Sequence, residues 1–401
     1  MLSAIHLVGL ASLVPATSAP EAPAPVTTPS PVTLEGSPLA LSYDGGLVLD
    51  WDGGQLVLEG LLEFGADADL GADDGAREPH SEFYLKRFRP ELFGLFDGGW
   101  CFRFEPKFTQ DEVELEEAWV GHRSDAGTLR LGRMKAPFGL EEVRSRRHIH
   151  FPRFSLLNQF SPAEDHGLFW NGQEGRLEYA MALYNGTGGS DEDEGKDVAL
   201  RAMWHAAEGS DHPWQVGLAT TFGDQERSIA GDGIKNAGGQ RVVDFAAGTE
   251  LDGQRTRVGL EWAQFFGPLM VQAEALSVEQ DLRTGATTDT VGYTGAYVDL
   301  AYALTGEDLT FKGVRNPEGS WVAALRLSTL ELDDELASYV DAGTYTDSIT
   351  GISLGLNYVP GPHAILRTAL TRSMYGDDEP TIGGATVDHE DLLTVELQLH
   401  F

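Results

Sequence analysis

The chain has 401 residues, with 28 Lys and Arg against 63 Asp and Glu, so its formal net charge is −35. This excess of negative charge argues against nucleic-acid binding, because a phosphate backbone requires a basic surface. A hydrophobic fraction of 41% excludes a disordered acidic chain, and 48 glycines favour a protein of many strands and turns. The single cysteine, Cys101, excludes an intrachain disulfide and a cysteine-based zinc cluster.

The N-terminal residues indicate export. Residues 4–14 form an apolar run that is too short for a spanning helix of about 20 residues, and small residues follow at Thr17, Ser18 and Ala19. This pattern predicts a signal peptide over residues 1–19, although no Lys or Arg precedes the apolar run. Seven prolines lie between Pro15 and Pro38. We therefore expect a Pro-rich disordered linker over residues 20–40 and a folded domain over residues 41–401.

From residue 41 onward, apolar residues recur at every second position. In the last segment, polar residues alternate with Leu393, Val395, Leu397 and Leu399. A period of two indicates strands with one apolar and one polar face. Short turn signals such as residues 97–99 separate some segments, whereas long, acidic, Gly-rich connectors at 186–197, 223–240 and 375–390 separate others.

About sixteen segments have the roughly 10 residues that a tilted strand needs to cross a bilayer. No stretch after the linker approaches the roughly 18 uninterrupted apolar residues of a spanning helix, so a helical membrane protein is excluded. The pattern predicts an all-β fold, a transmembrane antiparallel up-and-down β-barrel of about 16 strands with two unlike ends. The alternative is a soluble β-sandwich or lipocalin-like barrel, in which the apolar positions would face a packed core.

Two features favour the membrane barrel over the soluble one. The polar positions are rich in Gly, Ala, Asn, Gln and charged residues, which suits a water-filled lumen. Aromatic residues near strand ends resemble the belts found at lipid interfaces. These are Trp100, Trp119, Trp214, Trp262, Trp321 and Tyr358. The last strand ends in Phe401, which resembles the C-terminal assembly signal of outer-membrane barrels and predicts outer-membrane lipid as a partner.

Between Arg133 and Asn171 the alternation lapses and the charge reverses. From Lys135 to Arg153, five cations stand against Glu141 and Glu142, namely Lys135, Arg144, Arg146, Arg147 and Arg153. In one interpretation they pair with acidic loops and anchor the segment to the wall. In the other, the segment folds into the barrel and forms a cationic constriction, where fixed positive charge favours anions and the Arg fork suits phosphate.

Further arginines occupy the polar positions of the strands. We expect each to pair with a neighbouring carboxylate, and together they suggest a ladder that extends the anion pathway. They are Arg103, Arg130, Arg201, Arg257, Arg326 and Arg367.

A family resemblance rests on several of these segments. Residues 129–142, with the sequence LRLGRMKAPFGLEE, resemble the RxGRxKxPFSLE stretch of the phosphate-selective porin O/P family. Residues 86–94, 117–121, 156–168 and 184–186 are similar to other elements of that family. The resemblance is strong over residues 41–190 and only architectural afterwards, and the acidity of this chain departs from the family pattern.

The resemblance implies a trimeric, sixteen-stranded outer-membrane porin whose third loop folds inward and whose basic residues line a route for small anions of the phosphate class. No cofactor, metal or catalytic residue is expected, because no GxSxG occurs and His122, His148 and His150 lack the spacing of a closed metal site. Two alternatives remain. One is a barrel enzyme such as a phospholipase, with Ser145 and His148 as its only candidate pair, and the other is a plugged structural or adhesin barrel.

Overall fold

The computed structural model describes residues 32–33, 39–43, 45–72, 81–187, 195–207, 209–382 and 384–401. The predicted signal peptide and most of the predicted linker lie outside these ranges. Three short strands precede the barrel, namely Val32–Thr33, Ala40–Tyr43 and Leu47–Trp51. The first pairs with the second, and the third pairs with residues 54–58. Among the described residues, no helix is long and apolar enough to cross a membrane.

Sixteen strands form the barrel wall, and each lies antiparallel to its neighbours. They are β1 (Gly54–Ala72), β2 (Ser81–Phe96), β3 (Trp100–Phe108), β4 (Val113–Ser124), β5 (Gly127–Lys135), β6 (Glu164–Glu174), β7 (Leu177–Tyr184), β8 (Asp197–His205), β9 (Trp214–Ser228), β10 (Thr249–Phe266), β11 (Leu269–Thr284), β12 (Thr287–Ala303), β13 (Ser320–Leu332), β14 (Ser348–Gly361), β15 (Ala364–Tyr375) and β16 (His389–His400). The cylinder closes because β16 pairs with β1, from Glu390 opposite Ala72 to His400 opposite Leu61. The predicted up-and-down barrel of about 16 strands is confirmed.

The connections contain the short elements of the chain. The α-helix is Leu140–Val143, and 3-10 turns lie at Asp97–Gly99, Arg146–His148, Leu156–Phe160 and Asp334–Ser338. Small hairpins pair Gly233–Lys235 with Arg241–Asp244, Leu309–Thr310 with Gly313–Val314, and Thr381–Ile382 with Ala385–Thr386.

The two ends of the barrel differ in their connections. One end, here called the turn end, has mostly short links, such as residues 125–126 and 267–268. The other, the loop end, has long links that include L3 (residues 136–163), L5 (229–248), L7 (333–347) and L8 (376–388). In outer-membrane barrels the short turns are periplasmic. The turn end also carries one long connection, the long turn, at residues 304–319.

Both bounds of the loop predicted at residues 223–240 were wrong, since L5 spans residues 229–248. The long loop expected to begin at Gly223 begins only after Ser228, because residues 224–228 pair with residues 250–254 of β10. These positions are polar, and they extend the hairpin at the loop end, where polar strand residues need no lipid contact.

Burial along each strand is the reverse of that in a soluble protein. On β8 the inward residues include Asp197, Arg201 and His205, whereas Leu200 and Trp204 face outward. Across the barrel, Leu260 is 57% exposed while Arg201 is 4% exposed. A continuous apolar outer surface around a charged interior requires lipid outside, which decides against the soluble alternative.

The predicted aromatic belt needs one correction. Trp100 and Trp321 are exposed on the outer surface near the turn end. Trp119, in contrast, is buried and faces the lumen, where its Nε1 donates a hydrogen bond to Glu117 Oε2 at 3.0 Å. Trp119 and Glu117 are two residues apart on β4, so their side chains point to the same face of the strand. Trp119 therefore cannot face lipid while Glu117 faces inward.

Candidate functional site

L3 folds into the barrel and packs its apolar side chains against the inner wall. Phe138 lies over Gly259 of β10, where no side chain intervenes, and Leu157 lies over Gly295 of β12. Gly139 has φ +81, a conformation that favours glycine, and it directs the chain into the helix at Leu140–Val143. Because L3 is backed by apolar contacts with the wall, its polar groups are left to face the remaining lumen. The predicted inward-folded loop is therefore observed.

Carboxylates on both sides of the contact fix L3 in place. Glu274 of β11 accepts a hydrogen bond from the Leu140 N–H at 3.1 Å. Glu141 accepts from the Ser155 N–H at 2.8 Å and pairs with Arg326 of β13. The loop is thus tied to the wall through buried, charge-assisted hydrogen bonds as well as apolar packing.

Three of the five predicted constriction cations form ion pairs with carboxylates. Lys135 lies 3.2 Å from Glu142 and also donates to the Glu142 carbonyl at 2.8 Å. Arg147 lies 2.7 Å from Glu59 of β1, and Arg153 pairs with Asp67 of the same strand. These contacts agree with the interpretation in which the cations pair with carboxylates and anchor L3 to the wall.

Arg144 and Arg146 are different, since neither forms an ion pair within the part of the chain that the structure describes. Arg144 donates to Gln272 Oε1 at 2.7 Å and to the Phe311 carbonyl at 3.0 Å. The Arg146 guanidinium lies 3.1 Å from the centre of the Phe154 ring. Burial lowers the pKa of each guanidinium to about 10, so both are positively charged at neutral pH.

The side chains of the six strand arginines face the barrel interior, and five of the six pair with carboxylates. The pairs are Arg103 with Glu105 (2.7 Å), Arg201 with Glu261 (2.7 Å), Arg257 with Asp197 (3.5 Å), Arg326 with Asp299 (2.7 Å) and Arg367 with Glu396 (2.8 Å). Arg130 instead lies over the Trp119 ring, 5.3 Å from its centre.

Sequence reasoning missed Lys86 as a lumen residue. Simple alternation puts Lys86 and Arg87 on opposite faces, but a bulge leaves Lys86 unpaired between Leu85 and Arg87 opposite β1. Both side chains therefore reach inward, Arg87 to Glu63 at 2.8 Å and Lys86 to Glu396.

A second bulge acts in the same way on carboxylates. Glu105 of β3 pairs with Glu117, whereas the next residue, Pro106, pairs with Leu115, which leaves Glu116 as the extra residue of β4. Glu116 and Glu117 are both buried. The only signal for either bulge in the sequence is a pair of like charges within a strand.

A cavity of about 210 Å³, here called the turn-end cavity, lies between L3 and the turn end. Its charged and titratable lining consists of Arg147, His148, His150, Lys312, Arg367 and His400, with no carboxylate among the described lining residues. Burial and the nearby Arg144 hold the pKa of His148 well below its ordinary value and lower that of His150 to about 3. Both imidazoles are thus neutral at pH 7, and the cations of the lining are Lys312 and the two arginines Arg147 and Arg367, which pair with Glu59 and Glu396 behind the cavity surface.

A larger cavity of about 590 Å³, here called the loop-end cavity, lies between L3 and the loop end. Two carboxylates, Asp165 and Asp232, line it together with five cations. The cations are Arg227, Lys235, Arg241, Arg255 and Arg257. Among the described lining residues, cations therefore outnumber carboxylates in both cavities, in a chain whose net charge is −35.

Other candidate sites gain no support from the geometry. Ser145 and His148 both lie in L3 inside the barrel, and the Ser145 Oγ accepts a hydrogen bond from the Arg147 N–H at 3.4 Å. His122 packs its ring against Trp100. No group of three or more His, Cys, Asp or Glu that could hold a metal ion occurs in the described ranges.

Known proteins resemble this chain in family and in fold. A family model described as phosphate-selective porin O and P matches residues 61–401. No curated protein matches the chain in sequence. The anion-selective porin from Comamonas acidovorans is 12% identical, with a TM-score of 0.58 over 87% of this chain and 100% of that porin.

Two structures of OmpT from Vibrio cholerae also share the fold. The protein folded in vitro is 13% identical, with a TM-score of 0.57 over 88% of this chain and 99% of OmpT. Its trimer form is 11% identical, with a TM-score of 0.52 over 87% and 100%. The family model spans nearly the whole barrel, and the wall is apolar outside and charged inside. The chain therefore belongs to the phosphate-selective porin O and P family and is a porin of the outer membrane.

Proposed function

We propose that this porin is a passive channel that prefers anions, with phosphate or related oxyanions as its solutes. The observation that carries this proposal is the excess of cations in both lumen cavities of an acidic protein. In a narrow channel with low-dielectric walls, fixed positive charges lower the free energy of an entering anion and raise that of a cation. Acidic residues on the outer loops act weakly on the lumen at physiological salt, where the Debye length is about 8 Å.

The proposed constriction is formed by Lys135 at the end of β5 and by Arg144, Arg146, Arg147 and Arg153 of L3. Arg144 and Arg146 contribute positive charge that no paired carboxylate neutralises. The paired arginines still offer N–H donors to a solute, because a guanidinium has five N–H groups and a carboxylate partner does not use them all. The strand arginines continue the same kind of surface along the wall. The Comamonas acidovorans porin of the same fold is described as anion-selective, and the family description names phosphate.

Lys312 offers the sharpest test, because it is exposed in the long turn and lines the turn-end cavity. We expect Lys312→Glu to move the reversal potential in a KCl gradient toward the potassium potential, since it replaces a positive charge at the exit with a negative one. The measurement uses planar bilayers at about 1 M salt, where the Debye length is about 3 Å. At this salt concentration only charges that line the ion pathway change the reversal potential.

Arg315→Glu is the matched control, since Arg315 lies in the same long turn, pairs with Asp308 at 2.9 Å and does not line the cavity. Its reversal potential should stay near that of the wild type. Equal shifts in both variants, or a wild-type channel without anion preference, would contradict the proposal. Bilayers that show no ion steps at all would favour the plugged-barrel alternative.

We also propose that the channel performs no catalysis. A phospholipase needs its nucleophile where lipid can reach it, whereas Ser145 and His148 lie in L3 inside the lumen. Residues 1–19 are proposed to be a signal peptide and residues 20–40 a linker to the barrel.

A homotrimer is the proposed assembly. The strands on one side are short, with 9 residues in β3, 9 in β5, 8 in β7 and 9 in β8, whereas β10, β11 and β12 have 18, 16 and 17. About 9–11 tilted residues are needed to span a bilayer, so the short side barely does so. Contact with neighbouring copies along this side would shield it from lipid and water.

A further inference from the structure

The loop-end cavity has two chemically different walls, one cationic and one apolar. We propose that it binds a phosphate monoester that carries an apolar group, with the phosphate on the cationic wall and the apolar group on the other. This inference rests on the proposed anion channel and names a class of solute beyond inorganic phosphate.

The cationic wall contains two guanidiniums that share one carboxylate. Arg255 and Arg257 both pair with Asp197 Oδ2, at 3.2 and 3.5 Å, and Asp197 is fully buried. Gln225 occupies the other carboxylate oxygen at 2.7 Å. The two guanidiniums and the one carboxylate together carry a net charge of +1 at this point of the cavity wall.

Unpartnered donors on the same wall point to a missing ligand. The Nε atoms of Arg255 and Arg257 and the hydroxyl of Tyr184 are buried, and none has a hydrogen-bond partner among the described residues. All three residues are more than nine-tenths buried and line the cavity. Buried polar groups are almost always hydrogen-bonded, and an oxyanion supplies the acceptors that these donors lack.

The apolar wall adjoins the cationic one, because Val278 pairs with Arg257 across β10 and β11, and it comes mainly from the end of L3, L5 and the neighbouring strands. Its side chains are Phe160, Ile229, Ile234, Phe245, Val278 and Tyr293. The rings of Phe160 and Tyr293 stack with centres 4.8 Å apart. An inorganic phosphate ion gains nothing from such a wall, whereas an ester with an apolar group buries carbon surface against it.

The size of the cavity is consistent with an ester rather than with a bare ion. Its volume of about 590 Å³ falls within the range of roughly 300–1,000 Å³ that is typical of small-molecule sites.

The test measures block of the KCl current through the full-length porin in planar bilayers. The probes are phenyl phosphate, methyl phosphate, inorganic phosphate and phenol. Because phenyl adds several buried carbons, we expect phenyl phosphate to reach half-block at a concentration about tenfold or more below that of methyl phosphate. Phenol, which lacks the anion, should not block in this range.

Variants separate the two walls. Arg257→Gln leaves Asp197 paired with Arg255 and should raise the half-blocking concentration of both esters about tenfold. Tyr184→Phe removes only the unpartnered hydroxyl and should weaken both by a smaller factor. Ile234→Thr keeps the branch at Cβ but shortens the side chain and adds a hydroxyl, so it makes the apolar wall more polar and should weaken phenyl phosphate alone. Arg283→Gln is the control, since Arg283 pairs with Glu250 and Asp252 and does not line the cavity.

The result that overturns the proposal is equal block by phenyl and methyl phosphate, or a block that neither Arg257→Gln nor Tyr184→Phe changes. The reversal potential of the same channels in a KCl gradient reports the anion preference independently. A channel that prefers anions but does not distinguish the esters removes only this inference. A channel without anion preference removes the proposed function.

Discussion

At the scale of single residues, the lumen holds charges that are both structural and electrostatic. Arg326 binds Asp299 of β12 and Glu141 of L3, and its guanidinium also lies 4.5 Å from the centre of the Phe151 ring. Such a residue fixes L3 to the wall, and its partners offset its charge. Arg144 and Arg146 bind amide, carbonyl and aromatic groups instead, so they keep their charge in the lumen. The anchoring and constriction interpretations of L3 therefore apply to different residues.

His150 provides a prediction about pH. Burial and the charges of Arg144, Arg367 and Arg326 lower its pKa from 6.5 to about 3 while L3 is docked. A released, hydrated loop regains the ordinary pKa and takes up a proton between pH 6.5 and 3, which the docked loop does not. The docked state thus loses stability as the pH falls below about 6.5, and this loss ends near pH 3. We expect faster amide hydrogen exchange across residues 144–150 at pH 5 than at pH 7, after correction for the intrinsic pH dependence.

His150→Gln should remove part of this change between pH 6.5 and 4.5. Glu142 acts in the same direction at lower pH. Burial raises its pKa, but Lys135 and a hydrogen bond from Asn158 outweigh burial and hold the pKa below 4.5, so protonation there also weakens docking. The neutral His148 faces Arg144, Arg147, His400 and Lys312 and contributes the same sign as His150. Identical pH profiles in the wild type and His150→Gln would show that His150 is not responsible.

At the scale of secondary-structure elements, the alternation of apolar and polar residues predicts the strands well, because lipid contacts one face of each strand and the lumen lies on the other. Residues 393–399 and 258–262 follow the pattern without interruption, since lipid selects every second side chain there. The inward fold of L3 could be predicted from the lapse of alternation and the family resemblance.

Features that depend on pairing across the barrel could not be predicted in this way. The bulge at Lys86 is set by the register against β1, which no single strand encodes. Likewise, L5 is held by contacts with L7, including the bridge between Phe245 and Val340, so the apolar wall of the loop-end cavity exists only in the folded protein. Lys312 and His400 come close to L3 only through the topology of the turn end.

The last strand gives a prediction about assembly. The Gly60 N–H donates to the Phe401 carbonyl at 2.7 Å, the Phe401 N–H donates to the Gly60 carbonyl at 3.1 Å, and the Phe401 ring lies over Gly60. Deletion of Phe401 removes both hydrogen bonds and the ring from the seam between β1 and β16. We expect less folded, heat-modifiable barrel in outer-membrane fractions.

Two further variants separate the ring from the backbone pair. Phe401→Tyr keeps both and should assemble like the wild type. Gly60→Val keeps Phe401 but places a side chain where the ring lies, so it should lower the folded fraction. Normal amounts of folded porin after deletion of Phe401 would count against its role as an assembly signal.

At the scale of the whole molecule, the wall is uneven around its circumference. The short strands β3 to β8 lie on one side and the long strands β9 to β12 continue around the other. Exposed aromatic side chains lie at the edge of the short side, including Phe64, Phe83 and Phe104 on β1 to β3. Aromatic residues are enriched in protein interfaces, and an uneven wall is expected where copies of one barrel cover each other.

A matched pair of phenylalanines tests the trimer interface. Phe104 on β3 is 47% exposed and Phe222 on β9 is 48% exposed, so truncation of each to Ala removes a similar lipid-facing surface from the isolated barrel. If neighbouring copies cover the short side, Phe104→Ala also removes packing between subunits and should lower the temperature at which the trimer dissociates in unheated gel electrophoresis. Phe222→Ala should leave that temperature near the wild-type value, because its ring contacts only lipid. Equal behaviour of the two variants would place the interface elsewhere on the wall, and a wild-type porin that migrates as a monomer under gentle detergent extraction would contradict the trimer itself.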